Sequence, residues 1–183
     1  HGDVVHYAQE PILSSEILAL NERSLRQALE DSETFEVSVK LSSFTLEEFQ
    51  EVCQQISKLK RALPELVVRF ISPASLALIH LRENHSAEHL MTQLKQAGVD
   101  ILGSHFETTN EIIQQTESPA QLPKILRCIK NLHRACRDLE IKTDYELFLS
   151  QTDYQFNVQQ LIECRVQMEN CSNFLAVIPC FLP

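Results

Sequence analysis

Ser42, Ser43, Ser104, His105, Glu107, Gln151 and Asp153 are the side chains of this sequence whose types and positions best suit shared chemistry. Each lies just past an apolar, β-branched run that reads as a strand, in FEVSVKL, VDIL and YELFL. Side chains beyond the ends of parallel strands share one rim, which is where α/β folds hold ligands. Hydroxyls, an imidazole, an amide and carboxylates on such a rim suit a small polar metabolite. His105 and Glu107 would work as an acid and its orienting partner only if the fold brings them within hydrogen-bond reach. A solvated rim without a ligand is the plainer reading of the same residues.

Other residue types offer less. His80, His85 and His89 invite a metal, and His85 and His89 are four positions apart, but helix initiation at Ser86 is expected to break their relation, and no HExxH pattern accompanies them. They read as surface or partly packed histidines, and no metal ligand is assigned. The six cysteines, at 53, 128, 136, 164, 171 and 180, form no CxxC pair. Cys128, Cys136 and Cys164 sit among Leu and Ile at helical spacing and read as buried thiols. A GxSxG elbow is lacking, so nucleophilic hydrolysis has no local signature. The acidic groups Glu47, Glu48, Glu51 and Asp138, Glu140 read as solvated helix faces, the first near a helix N-terminus where negative charge is favourable.

The elements that must position these residues alternate along the chain. FEVSVKL (35–41), LVVRFI (66–71), 99–102, 141–149 and FLAVIP (174–179) read as strands, with DVVHY (3–7) as a further one. Helices are expected after Ser14, after the capping box of Thr45 and Glu48, from Ser86 to Ala97, from Leu122 to Glu140 and from Asp153 to Glu169. Ser75–His80 reads as a helical turn, and Asn110–Gln115 as a helix interrupted around Pro119. Gly98 supplies the positive φ that ends a helix. In the Asp153–Glu169 helix, Val158, Leu161, Ile162 and Val166 share one side. Strands joined by helices of this length must pair in parallel through right-handed crossovers. The expected fold class is α/β, a partial or incomplete (β/α) TIM-type barrel of parallel strands in one domain, 1–183.

Net charge narrows the partners. The formal charge of −9 disfavours a broad contact with a phosphate backbone, so no nucleic acid is expected. No apolar run reaches the roughly 20 residues that span a bilayer, and a cytoplasmic protein without a membrane partner is expected. A start at His1-Gly2, without Met, suggests a processed or trimmed chain. The final strand, FLAVIPCFLP, needs cover, from a companion subunit or a second copy.

Four blocks resemble one family. Residues 45–70, TLEEFQEVCQQISKLKRALPELVVRF, are similar to the second helix and third strand of the radical S-adenosylmethionine enzymes that make futalosine-type menaquinone precursors, and of their relatives in deazaflavin cofactor assembly. Residues 76–100, 132–149 and 174–183 resemble the same family's following helices, with its LKEAGLD-like turn, and its fifth and sixth strands. The likeness runs over residues 12–183 in order and spacing. It implies a (β/α) barrel, a [4Fe-4S] cluster and S-adenosylmethionine at the strand tips, and a radical that adds to or abstracts hydrogen from an enolpyruvyl or nucleoside-like substrate. The residues at the matching cofactor positions are Ser42, Gly103 and Glu107, with Ser43, Ser104, His105, Gln151 and Asp153 on the surrounding rim.

Tip by tip, the sequence departs from that pattern. A [4Fe-4S] cluster that opens one iron to the cofactor needs three thiolates in a tight loop. Between DVVHY and the segment opening at Ser14 there is no cysteine. Leu41-Ser42 stands for a glycine pair, Gly103-Ser-His-Phe-Glu107 for a glycine-rich turn, and Leu149-Ser-Gln-Thr-Asp153 for Tyr-Gly-His-x-Glu. Added bulk there would crowd a cofactor that needs close backbone approach. The expected function is therefore a degenerate or fragmentary radical-enzyme-like barrel without radical chemistry or cofactor of its own and with no catalytic residue, binding a small metabolite or serving as a companion subunit. Two alternatives stand beside it: part of a genuine cluster-bearing menaquinone-pathway enzyme, and a non-catalytic scaffold.

Overall fold

A computed structural model describes residues 12–13, 36–41, 44–103, 107, 109–116, 118–150, 154–167 and 175–180. The strands are β1 (Ile12–Leu13), β2 (Glu36–Val39), β3 (Val67–Phe70), β4 (Ile101–Leu102), β5 (Lys142–Thr143), β6 (Tyr145–Ser150) and β7 (Leu175–Cys180). The helices are α1 (Leu46–Ala62), α2 (Pro73–Glu83), α3 (Ala87–Ala97), α4 (Thr109–Gln114), α5 (Leu122–Asp138) and α6 (Tyr154–Gln167). A 3-10 turn, Pro119–Gln121, sits where the proline-marked interruption is expected. DVVHY and the helix expected after Ser14 lie outside the described residues.

Strand order follows chain order. β1 to β5 form one parallel sheet in the sequence β1-β2-β3-β4-β5, and β6 pairs in parallel with β7. β5 and β6 are successive pieces of one strand interrupted at Asp144, which still donates its N–H to the Leu102 carbonyl at 3.2 Å. The result is an α/β fold whose parallel sheet is not closed, as in a partial (β/α) barrel. Sequential order with crossovers in one direction is barrel-like winding and lacks the strand-order reversal of a doubly wound sheet.

Side-chain parity assigns the two faces. Paired residues in a parallel ladder point the same way, so Val37, Val39, Val68, Phe70, Leu102 and Thr143 share one face. All of them are buried, and the apolar ones join α1, α2, α3 and α5 in one core that includes Phe49, Ile56, Leu90, Leu94 and Leu132. Phe49 packs edge-on to Phe70, with ring centroids 6.5 Å apart. The opposite parity carries Glu36, Ser38, Arg69 and Ile101.

Local signals explain the joints. Thr45 Oγ1 accepts the Glu48 N–H at 3.3 Å and starts α1, as the capping box requires. Contrary to the solvated face expected for Glu48, its side chain is buried, because the residue turns inward beside Phe49. Ser86 caps α3, and Gly98 ends it at φ +101°. A Cβ on Gly98 would lie 2.8 Å from Lys60 Cγ, so the bare position lets the Lys60 stem pass. Lys60 then reaches the Leu66 carbonyl at 2.7 Å and the Asp100 carboxylate at 3.0 Å, while that carboxylate also accepts the Val68 N–H at 2.9 Å. This bracket sets the entry to β3 and β4.

Candidate functional site at the strand tips

Beyond the C-terminal end of β3 the backbone turns sharply into α2. Ser72 adopts φ +146°, outside the usual range for an L-residue, and its hydroxyl holds the turn. Ser72 Oγ accepts from the Ser75 N–H at 3.1 Å and from the Ser75 hydroxyl at 2.7 Å. It donates to the Glu107 carboxylate, 3.1 and 3.2 Å from the two oxygens. Glu107 Oε2 also accepts the Ala74 N–H at 3.2 Å, and Oε1 accepts from Gln115 Nε2 at 2.9 Å.

The loop after β4 thus lends its carboxylate to the N-terminus of α2, where orphan N–H groups and the helix dipole favour a negative charge. Glu107 sits at the strand tips as expected from the sequence. Its oxygens are engaged within the chain, by a helix start that would otherwise attract an external anion. The sequence reading missed Ser72; the signal was Ser-Pro-x-Ser directly after a strand, a helix-start pattern with proline in the first turn.

Gly103 has an equally internal explanation. Its φ is +110°, and a Cβ there would fall 2.5 Å from the Asp144 carbonyl oxygen and 2.9 Å from Tyr145 Cε1. Its N–H donates to the Phe70 carbonyl at 2.9 Å and extends the β3–β4 ladder. The close approach that needs glycine is to the neighbouring strand. Ser42, Ser43, Ser104, His105, Gln151 and Asp153 lie outside the described residues.

On the sheet face away from the helix core, Arg69 ties four strands. Its Nε donates to Glu36 Oε1 at 2.7 Å, Nη1 to the Gly103 carbonyl at 3.1 Å and Nη2 to Asp144 Oδ2 at 3.1 Å. Arg69 is only 8% exposed, so the paired carboxylates offset a large desolvation cost. The signal was a lone arginine inside LVVRFI, at the parity opposite Val68 and Phe70. Under the other face, the Tyr145 hydroxyl and His133 Nε2 lie 2.5 Å apart, both residues buried, with the rings edge to face.

Cys128, Cys136 and Cys164 are buried, as their helical surroundings predict, and Cys53 is half-buried. Burial alone pushes the thiols of Cys53 and Cys128 up to about 12 and that of Cys164 to about 11. They are thiols at neutral pH, not thiolate ligands or nucleophiles. Among the described residues, no three His, Cys, Asp or Glu side chains gather as a metal cage.

Among the described residues, two of the clefts open in the helical layer. One of about 320 Å³ lies between the start of α3 and the end of α5, lined by Glu88, Asn131, Arg134 and Asp138 among others. The second, about 310 Å³, runs between α1 and α3 past Gln50, Cys53, Ser57 and Gln93. Neither includes a strand-tip residue.

The side of α6 that carries Val158, Leu161, Ile162 and Val166 faces outward, with Tyr154 79% exposed, Ile162 53% and Val166 53%, although core-facing helices bury such residues. The inward face carries Gln160 and Cys164, and Glu163 Oε2 accepts the Thr109 N–H at 2.8 Å. That polar bond to the start of α4 orients the helix with its apolar stripe outward. Among the described residues, no helix is long and apolar enough to cross a membrane. No known family model matches the chain and no curated protein is significantly similar to it, so the likeness to the radical enzymes rests on the residue blocks alone.

Proposed function

We propose that this chain is an assembly module, a partial barrel of the radical-enzyme type that does no radical chemistry itself and meets another polypeptide through α6 and β7. The observation that carries this reading is the exposed apolar stripe of α6. Tyr154, Val158, Leu161, Ile162 and Val166 lie on one broad side of the helix and Phe156 on another, and so many large apolar side chains left exposed together mark an interaction surface. β7 adds an edge with no partner among the described residues. A second copy of the chain is the simplest occupant, and a companion subunit that supplies another βα unit is the other.

The state of the strand tips supports the same reading. Glu107, a residue at a matching cofactor position, serves the α2 start, and Gly103 serves the β4–β6 approach. Light scattering on the native particle over a concentration series tests the proposal. Self-association lost on Leu161→Glu with Ile162→Glu supports it; a well-folded monomer throughout counts against the second copy and leaves the companion subunit to be sought by co-purification.

The rival reading, a working [4Fe-4S] and S-adenosylmethionine enzyme, draws on the sequential strand order, which is the winding its barrel needs. Anaerobic iron–sulfur reconstitution separates the two. A stable cluster near one per chain would overturn the module reading.

A further inference from the structure

The turn between α2 and α3 brings together two histidines that helix initiation at Ser86 was expected to separate. His85 and His89 flank the Ser86 cap, and their rings lie near parallel, 21° apart, with centroids separated by 5.2 Å. We propose that this pair is a surface binding site for one divalent transition ion of the Zn²⁺ class, with water or an external ligand filling the remaining positions.

The spacing is what carries the proposal. An ion about 2.0–2.1 Å from one nitrogen of each ring lies about 3.2 Å from each centroid, so tetrahedral coordination sets the centroids about 5.2 Å apart. The structure already holds them at 5.2 Å. Stacked, near-parallel rings do not aim both lone pairs at one point, so binding requires the rings to turn about their Cβ–Cγ bonds, a motion that leaves their centroids nearly in place.

The backbone on either side is fixed before any ion arrives. His80 Nδ1 bonds the His85 carbonyl, Asn84 takes a left-handed conformation that ends α2, and the His89 N–H donates to Ser86 Oγ at 3.1 Å. The Gln93 side-chain amide lies 3.1 Å from His89 Nε2. That contact steadies the ring, as a second partner commonly does for metal-bound histidines. His80 is not a third ligand through Nδ1, because that atom is spent on the turn. Imidazole nitrogen favours Zn²⁺, Cu²⁺ and Ni²⁺ over Mg²⁺ or Ca²⁺, which take oxygen. The bound ion ties the end of α2 to the first turn of α3.

Calorimetric titration with Zn²⁺ tests this on the full chain and on His85→Ala and His89→Ala, with a His1→Ala/His6→Ala control for the terminal histidines. The proposal expects about one ion per chain in the parent and in the control, and affinity at least about tenfold weaker in either single variant. Parent-like affinity in both variants, or no binding by the parent at millimolar Zn²⁺, overturns it. A measurement on the unaltered chain guards against misfolded variants. The imidazole resonances of His85 and His89 must shift together on adding one equivalent of Zn²⁺, and unmoved resonances overturn the site.

Discussion

At the scale of the residue, the strand tips are organised by contacts within the chain. Gly103→Ala is expected to cost at least about 2 kcal/mol, because alanine at φ +110° is strained and its Cβ meets the Asp144 carbonyl. Urea denaturation measures that loss, and unchanged stability would contradict the close approach. Glu107→Ala removes the carboxylate from Ser72 and Ala74 and should cost about 1–2 kcal/mol, with Glu107→Gln intermediate. The thiols make a pH prediction. Ionisation is unfavourable in the folded state, where burial holds the protons of Cys53 and Cys128 to about 12, against the ordinary 9.0 of a free thiol. Their contribution to stability is therefore complete below pH 9.0 and lost progressively up to about pH 12, the window in which unfolding releases thiol protons. Alkylation by iodoacetamide at pH 8 should be slow until denaturant is added; rapid labelling of Cys128 in the folded chain would contradict its burial. Gly98 as a helix end and the buried cysteines were legible from local pattern. Ser72 and Arg69 were not, because their roles depend on partners 35 and 75 positions away, Glu107 and Asp144.

At the scale of the element, periodicity located the helices and strands but could not tell which side of α6 faces inward. Val158, Leu161, Ile162 and Val166 do share a side, as their spacing predicts. That side is outward because the bond from Thr109 N–H to Glu163 and the buried Gln160 and Cys164 fix the opposite face. Such a choice is made by tertiary partners, which a helical period does not encode. The break between β5 and β6 is similar. The segment 141–149 reads as one strand, whereas the chain divides at Asp144, whose carboxylate reaches Arg69 on the face opposite Thr143. Arg69→Ala should cost about 3 kcal/mol, since it leaves Glu36 and Asp144 without their buried cation. Thermal unfolding measures it, and a loss below about 0.5 kcal/mol, typical of a surface change, would show that the network does not hold the strands.

At the scale of the whole molecule, alternation of strands and helices was enough to foresee parallel strands wound as part of a barrel. Closure was not legible, because no sequence period distinguishes an open edge from a covered one. The structure shows sequential strands, an unpaired β7 edge among the described residues, and an apolar helix face beside the last strand pair. Together these favour assembly over chemistry at the tips. Light scattering coupled to size-exclusion chromatography tests it most directly, on the 183-residue chain and on the Leu161→Glu/Ile162→Glu variant. The account predicts a particle heavier than 21.0 kDa that falls to 21.0 kDa in the folded variant. A folded parent that stays at 21.0 kDa at every concentration would contradict assembly through a second copy, and an unchanged multimer in the variant would contradict assembly through α6.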